Sequence, residues 1–256
     1  MSSKPWTSEE ISVLQSMNEN GFDYLEISNK IARSPSACRQ KGRFLGLHGD
    51  MNVNFDFFSL ETEEKYYILG YWLADGCIME KSGGHYFSIV SNDKDHLEKM
   101  HSIMKIRTKI YKNSNNAYEI RVGSKRLIQS LFDMGCSCRK TENMSLNDLS
   151  FDDAYFYVLL RGFFDGDGGY QYSGFTRKDG VRNVSGIKFT GSKIMIESIY
   201  DYIGYGTLHP DTRKRDCYYL SFYGDNMRSL LRKMYDKSTI QLNRKYDVFK
   251  KFIEIH

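Results

Sequence analysis

Apolar residues over the first 47 positions recur at helical spacing. Trp6, Ile11, Leu14 and Met17 follow Thr7, a predicted N-cap with Glu10 three residues on, and Gly21 closes that segment. Leu25, Ile27 and Ile31 repeat the pattern. A third start has Ser34 as cap, Pro35 at the first helical position and Gly46 as the stop. Three short helices are therefore expected within residues 1–48, with Ala37, Phe44 and Leu45 of the third packing inward and Ser36, Arg39, Gln40 and Arg43 sharing a polar face. Residues 49–62 lack periodicity and read as a linker, whose Phe55, Phe57 and Phe58 can dock on a neighbour.

Beyond the linker the pattern becomes mixed, and one stretch stands out. "LLRGFFDGDGGY", Leu159 to Tyr170, sets core-type residues directly against aspartates and glycines. It reads as a buried helix that ends in a carboxylate. "ILGYWLADGCI", residues 68 to 78, overlays on residues 160 to 170: glycine, two aromatics and a terminal Asp-Gly fall in step, and Asp75 and Asp167 are equivalent. Each copy is followed by a β-like stretch with turn signals, an amphipathic helix, a second hairpin pattern, another helix and a basic segment. The expected fold class is α+β: two pseudo-symmetric αββαββα repeats, 63–150 and 151–256, each with four antiparallel strands in one sheet, preceded by the three-helix unit. Alternation in the second hairpins leaves one sheet face rich in Arg, Lys, Tyr and Asn.

Composition narrows the classes. A 256-residue chain that is 41% hydrophobic can bury a sizeable core. Its apolar runs are too short to span a bilayer, and the N-terminus shows no secretory signal, so a membrane partner is not expected and the host-cell interior (cytoplasmic) is. Five cysteines without C-x-x-C spacing argue against a disulfide framework or a zinc site. The six histidines show no ligand spacing. Net charge is only +4, yet residues 30–43 hold five bases and no acid, and residues 171–256 hold 16 bases against 9 acids. Local basic surface on a near-neutral chain suits a polyanion bound on defined faces.

Two resemblances follow from these motifs. "W-T-x-E-E-x-x-x-L", "EISNKIARSPSACRQK" and "LGL" resemble a Myb-like helix-turn-helix, which implies that Ser36, Arg39, Gln40 and Arg43 contact DNA; many trihelical modules bind proteins instead. "ILGYWLADG" and "LRGFFDGDG" resemble the signature of single-chain LAGLIDADG homing endonucleases, across roughly residues 63–256. The sixth signature position differs between the copies, Leu73 against Asp165, whereas the acidic eighth is kept in both.

The second resemblance implies a DNA-binding saddle and a site-specific, metal-dependent double-strand break in a long target, made by a monomer and leaving 3′ overhangs. Gly70 and Gly162 would let two helices approach closely and bring Asp75 and Asp167 together. Two such carboxylates call for a cation, and hard oxygen donors favour Mg²⁺. The resemblance adds Ala74 and Gly166 as carbonyl ligands, and Lys140 and Lys245 as groups that stabilise charge or orient water; a phosphate contact or plain surface charge is the other reading of both lysines. A polar residue ordering water at the end of the second strand points to Ser91 and Thr190. Strand residues Arg107, Lys109, Arg121, Arg177, Arg182, Lys188, Arg213 and Lys214 are the candidates to reach double-stranded DNA, and the longer first hairpin of the second copy implies unequal half-sites. A catalytically silent transcription regulator and an RNA-splicing maturase on the same fold are the alternatives.

Overall fold

Thr7 and Glu10 cap each other: the Thr7 amide donates to Glu10 Oε2 at 2.9 Å and the Glu10 amide to Thr7 Oγ1 at 3.2 Å. Helix α1 (Ser8–Glu19) starts there, and α2 (Tyr24–Ile31) and α3 (Pro35–Phe44) follow, the last with Ser34 accepting from the Ala37 amide. The computed structural model describes residues 4–19, 22, 24–47, 54, 56–81, 84–138, 144–177, 180–212 and 216–254, with backbone alone at 19, 81, 84, 173–177, 180–184 and 253–254. Gly21, Phe55, Lys140, Arg213 and Lys214 thus lie outside the described residues.

Leu14, Tyr24, Ile27 and Cys38 form the small core of α1 to α3, flanked by Trp6, Met17, Ile31, Leu45 and Leu47. Arg33 ties its ends together, pairing with Glu10 at 2.8 Å and stacking 4.4 Å over Trp6. Phe44 does not pack inward; it is 82% exposed. The buried stripe of α3 runs through Cys38 and Gly42, where a Cβ would lie 2.0 Å from the Tyr24 hydroxyl, and Phe44 falls on the other side of the helix.

The chain then makes a short 3₁₀ turn, Phe57–Ser59, whose Phe57 and Phe58 enter the larger core. Thr62 accepts from the Lys65 amide to start α4 (Glu63–Asp75), which runs straight into β1 (Gly76–Lys81) and β2 (Gly84–Ser91). Helix α5 (Lys94–Ile103), strands β3 (Tyr111–Lys112) and β4 (Tyr118–Val122) and helix α6 (Lys125–Asp133) complete the first copy. The second copy repeats the order: α7 (Phe156–Asp167), β5 (Gly168–Arg177), β6 (Gly180–Ser192), α8 (Lys193–Ile203), β7 (Thr207–Pro210), β8 (Cys217–Tyr223) and α9 (Gly224–Tyr235).

Each copy forms one antiparallel four-stranded sheet, β1-β2-β4-β3 and β5-β6-β8-β7. Register matches across the copies: Gly76 pairs with Ile89 as Gly168 pairs with Phe189. Ile78, Phe87, Ile89, Ile120 and Val122 of the first sheet, and Ile187, Phe189, Leu220 and Phe222 of the second, face a single core that both copies share. The alternate strand positions face away from it.

One helix exceeds the sequence expectation. The basic segment after α9 begins α10 (Asn243–Glu254), whose Tyr246, Phe249 and Phe252 pack on Tyr235 and Tyr170. That aromatic spacing of three is helical, but Arg244, Lys245, Lys250 and Lys251 in the same stretch mask it. Among the described residues no helix is long and apolar enough to cross a membrane.

Helices α4 and α7 pack backbone to backbone. A Cβ on Gly70 would lie 1.9 Å from the Leu159 carbonyl oxygen, and one on Gly162 would lie 2.1 Å from that of Tyr67. Neither obstacle is a movable side chain, so a methyl group at either site must separate the helices. Gly70→Ala and Gly162→Ala should each destabilise the fold by about 3 kcal/mol or more. Chemical denaturation would register this as an earlier midpoint, and Gly123→Ala, which meets only the Tyr86 ring, should cost much less.

Candidate active site

The glycine contact fixes what lies one turn later. Ala74 and Asp75 end α4, Gly166 and Asp167 end α7, and the two ends touch: a Cβ on Gly166 would fall 2.3 Å from Ala74 Cβ and 3.3 Å from Asp75 Oδ2. Each helix passes into its strand without a loop. The amides of Gly76 and Gly168 donate to the Trp72 and Phe164 carbonyls, and a Cβ at either glycine would strike the ring of Trp72 or Phe164. Asp75 is half-buried and Asp167 exposed, so two carboxylates and the main chain between them are gathered at one helix-pair end.

Among the described residues no group of three or more His, Cys, Asp and Glu side chains gathers as a metal cage. Two carboxylates with neighbouring carbonyls instead fit a hard divalent cation, which takes its other ligands from water or phosphate oxygens.

Behind this end sits a buried polar knot. The Lys245 side chain, in a residue only 4% exposed, donates to the carbonyls of Phe164, Asp165 at 2.9 Å and Gly168 at 2.7 Å. These bonds use all three of its donors, leaving none for water or a phosphate. Burial draws its pKa down to about 8, with Asp165, Asp75 and Asp167 acting in the opposite sense, so the ammonium persists at neutral pH. Lys245 thereby clamps the last turn of α7, beside Asp167.

Asp165 is wholly buried and accepts from Tyr235, from Tyr67 at 2.7 Å and from the Leu242 amide at 2.7 Å. Burial pushes its pKa up, against those three hydrogen bonds. Tyr67 spends its proton on Asp165, so its 2.9 Å contact with His96 Nε2 must be received from the imidazole. Arg161, also buried, donates to the Met234 carbonyl at 2.6 Å and pairs with Glu63 of α4. Sequence reasoning singled out none of Tyr67, His96, Arg161 or Tyr235. The available signal was Arg161 and Asp165 inside an otherwise apolar signature.

The other nominated residues scatter over the surface. Ser36, Gln40 and Arg43 are exposed on α3, and the Arg39 guanidinium lies 6.0 Å over Tyr24. Arg107 pairs with Glu26 of α2 at 2.7 Å, and Lys109 is exposed just before β3. Arg121 and Lys188 lie on the outer sheet faces, alternating with core residues, and Lys188 Nζ sits 5.6 Å over Tyr219. Arg177 and Arg182 belong to the long β5-β6 hairpin, where only the backbone is described. Ser91 is hydrogen-bonded to Tyr71 at 2.9 Å. The matched registers make Gly191, not Thr190, its counterpart, and Thr190 corresponds to Val90.

Residues 62–134 match the family model described as LAGLIDADG-like domain. No curated protein matches the chain. Among solved structures it is similar to the I-LtrWI LAGLIDADG homing endonuclease bound to target DNA, at 15% identity over 79% of this chain and 91% of that one, with a TM-score of 0.56. The LAGLIDADG meganuclease I-AabMI bound to uncleaved DNA gives 17%, 74%, 89% and 0.57. I-SmaMI gives 15%, 74%, 87% and 0.57 with cleaved DNA, and 13%, 66%, 84% and 0.52 with an uncleaved target and calcium ions. At these identities the likeness establishes the fold: two LAGLIDADG repeats in one chain.

The knot predicts a pH response. Burial holds the His96 pKa down at about 4, with Lys99 acting the same way, whereas an unfolded histidine titrates at ~6.5. The unfolded chain alone binds this proton between the two values, so stability is full above about 6.5 and falls as pH drops toward 4. His96→Gln keeps a donor for Tyr67 but cannot titrate; urea midpoints measured across that window should fall less steeply than in the wild type.

Proposed function

We propose that the chain is a site-specific homing endonuclease that makes metal-dependent double-strand breaks in a long DNA target. The observation that carries this is the backbone contact at Gly70 and Gly162 and its result, Asp75 and Asp167 at adjoining helix ends between two sheets. The fold shared with DNA-bound homing endonucleases supports the reading.

In this proposal Asp75 and Asp167, with the Ala74 and Gly166 carbonyls, hold Mg²⁺, and one solved relative includes calcium ions. A bound divalent cation lowers the pKa of water and stabilises charge developing on a phosphate. Gly166 leaves room beside Asp75, and Lys245 holds the Phe164, Asp165 and Gly168 carbonyls that flank Gly166 and Asp167. The outer sheet faces, with Arg121 and Lys188, lie along the major groove. Residues 1–48 form an accessory Myb-like DNA-binding domain that offers Ser36, Gln40 and Arg43, and the working unit is a monomer.

Incubation with Mg²⁺ and a duplex spanning the uninterrupted insertion locus of its own gene should give a double-strand cut. Asp75→Asn, Asp167→Asn should lower the rate at least 100-fold and leave binding within a few-fold. Binding without cutting by the wild type would replace this reading with a regulator or maturase.

Deleting residues 1–48 should weaken binding about 10-fold or more at moderate salt, through lost phosphate contacts. Cleavage at saturating protein should persist; a large loss of rate there would overturn the accessory role.

A further inference from the structure

On the outer face of the first sheet, one arginine is held differently from the rest. Glu119 and Arg121 stand two residues apart on β4, and Ser88 of β2 lies directly across from Arg121. Ile120 and Val122 between and after them point into the core, so all three polar groups share the face turned away from it. Glu119 Oε1 accepts from Ser88 Oγ at 2.9 Å and from Arg121 Nε at 2.9 Å, and it forms an ion pair with Arg121 Nη2 at 2.7 Å.

The carboxylate is nearly enclosed, its side chain 7% exposed, whereas that of Arg121 is 35% exposed. Ser88 fixes the carboxylate, and the carboxylate fixes the guanidinium. Among the described residues one of the five guanidinium N–H groups is hydrogen-bonded to Glu119, and the other four remain for another partner. The arrangement also sets the charge. Glu119 and Arg121 together carry almost no net charge, which removes most of the pull that Arg121 would have on a phosphate. The arginine keeps a fork of donors already ordered, so little rotamer freedom is left to lose on binding.

We infer that Arg121, oriented by Glu119 and Ser88, is a specificity-determining residue that reads one guanine edge in the major groove, rather than a backbone contact. Guanine presents the O6 and N7 acceptors that such a fork matches. Glu119 is the positioning residue, acting through Arg121. The inference rests on the proposal that this sheet face lies on DNA.

The test is selection from a randomised duplex pool by the full chain, as wild type, Arg121→Ala and Glu119→Gln, each first shown to be folded by its thermal transition. The wild type should enrich a long site with guanine at one position of one half. Arg121→Ala should lose about 10- to 100-fold of preference at that position alone, beside an even loss over all sequences from the Glu119 charge it leaves unpaired. Glu119→Gln should weaken the same preference several-fold and raise affinity for unrelated duplex, because a negative charge has gone. A merely structural role would weaken all sequences evenly.

An unchanged enriched site in Arg121→Ala would overturn the inference. So would a loss that falls evenly on all sequences and leaves the preference at that position intact, the mark of a phosphate contact. A wild type that enriches no sequence would overturn the parent reading instead.

Discussion

Everything at the centre of this molecule depends on two helices meeting without side chains between them. Helix pairs ordinarily keep axes 8–10 Å apart because side chains intervene. Here Gly70 and Gly162 each press on the other helix's backbone, and the large aromatics are displaced to the flanks, where Tyr67, Tyr71, Trp72, Phe163 and Phe164 fill the shared core. Because each helix passes directly into a strand, the same contact sets where both sheets begin. Position of the carboxylates and position of the sheets are therefore one variable.

The two copies solve that problem with different internal chemistry. The first seals its helix with Trp72 over Gly76 and leaves Leu73 in the apolar core. The second places Asp165 at that point and must satisfy it in the dry interior, where an unpaired carboxylate is costly. Tyr67, Tyr235 and the Leu242 amide supply the hydrogen bonds, and Lys245 supplies the charge. Ser91 and Tyr71 likewise face a polar need that Gly191, packed near the Phe163 ring, does not have.

Much of this was legible in the sequence because it is periodic or repeated. Capping pairs at Thr7 and Ser34, the Asp-Gly helix ends and the order of strands and helices all depend on neighbours within a few residues. The paired registers then made both glycines and both aspartates equivalent. What escaped depends on partners far along the chain. Lys245 meets the carbonyls of Phe164, Asp165 and Gly168, and Arg161 meets Glu63, across separations that no local pattern encodes. Phe44 escaped for the opposite reason: helical spacing alone did not say which face Tyr24 would cover.

The ligands of Asp165 come from both copies, Tyr67 from the first and Tyr235 and Leu242 from the second. A chain cut between residues 138 and 144 would leave the second fragment with a buried carboxylate one hydroxyl short, and the first with Tyr67 facing an open seam. Two identical first halves would bring Leu73 to the place of Asp165, and two second halves would bring Leu159 to the place of Tyr67. Neither half can stand in for the other, so the internal symmetry visible in the backbone has become an obligatory inequality in the interior.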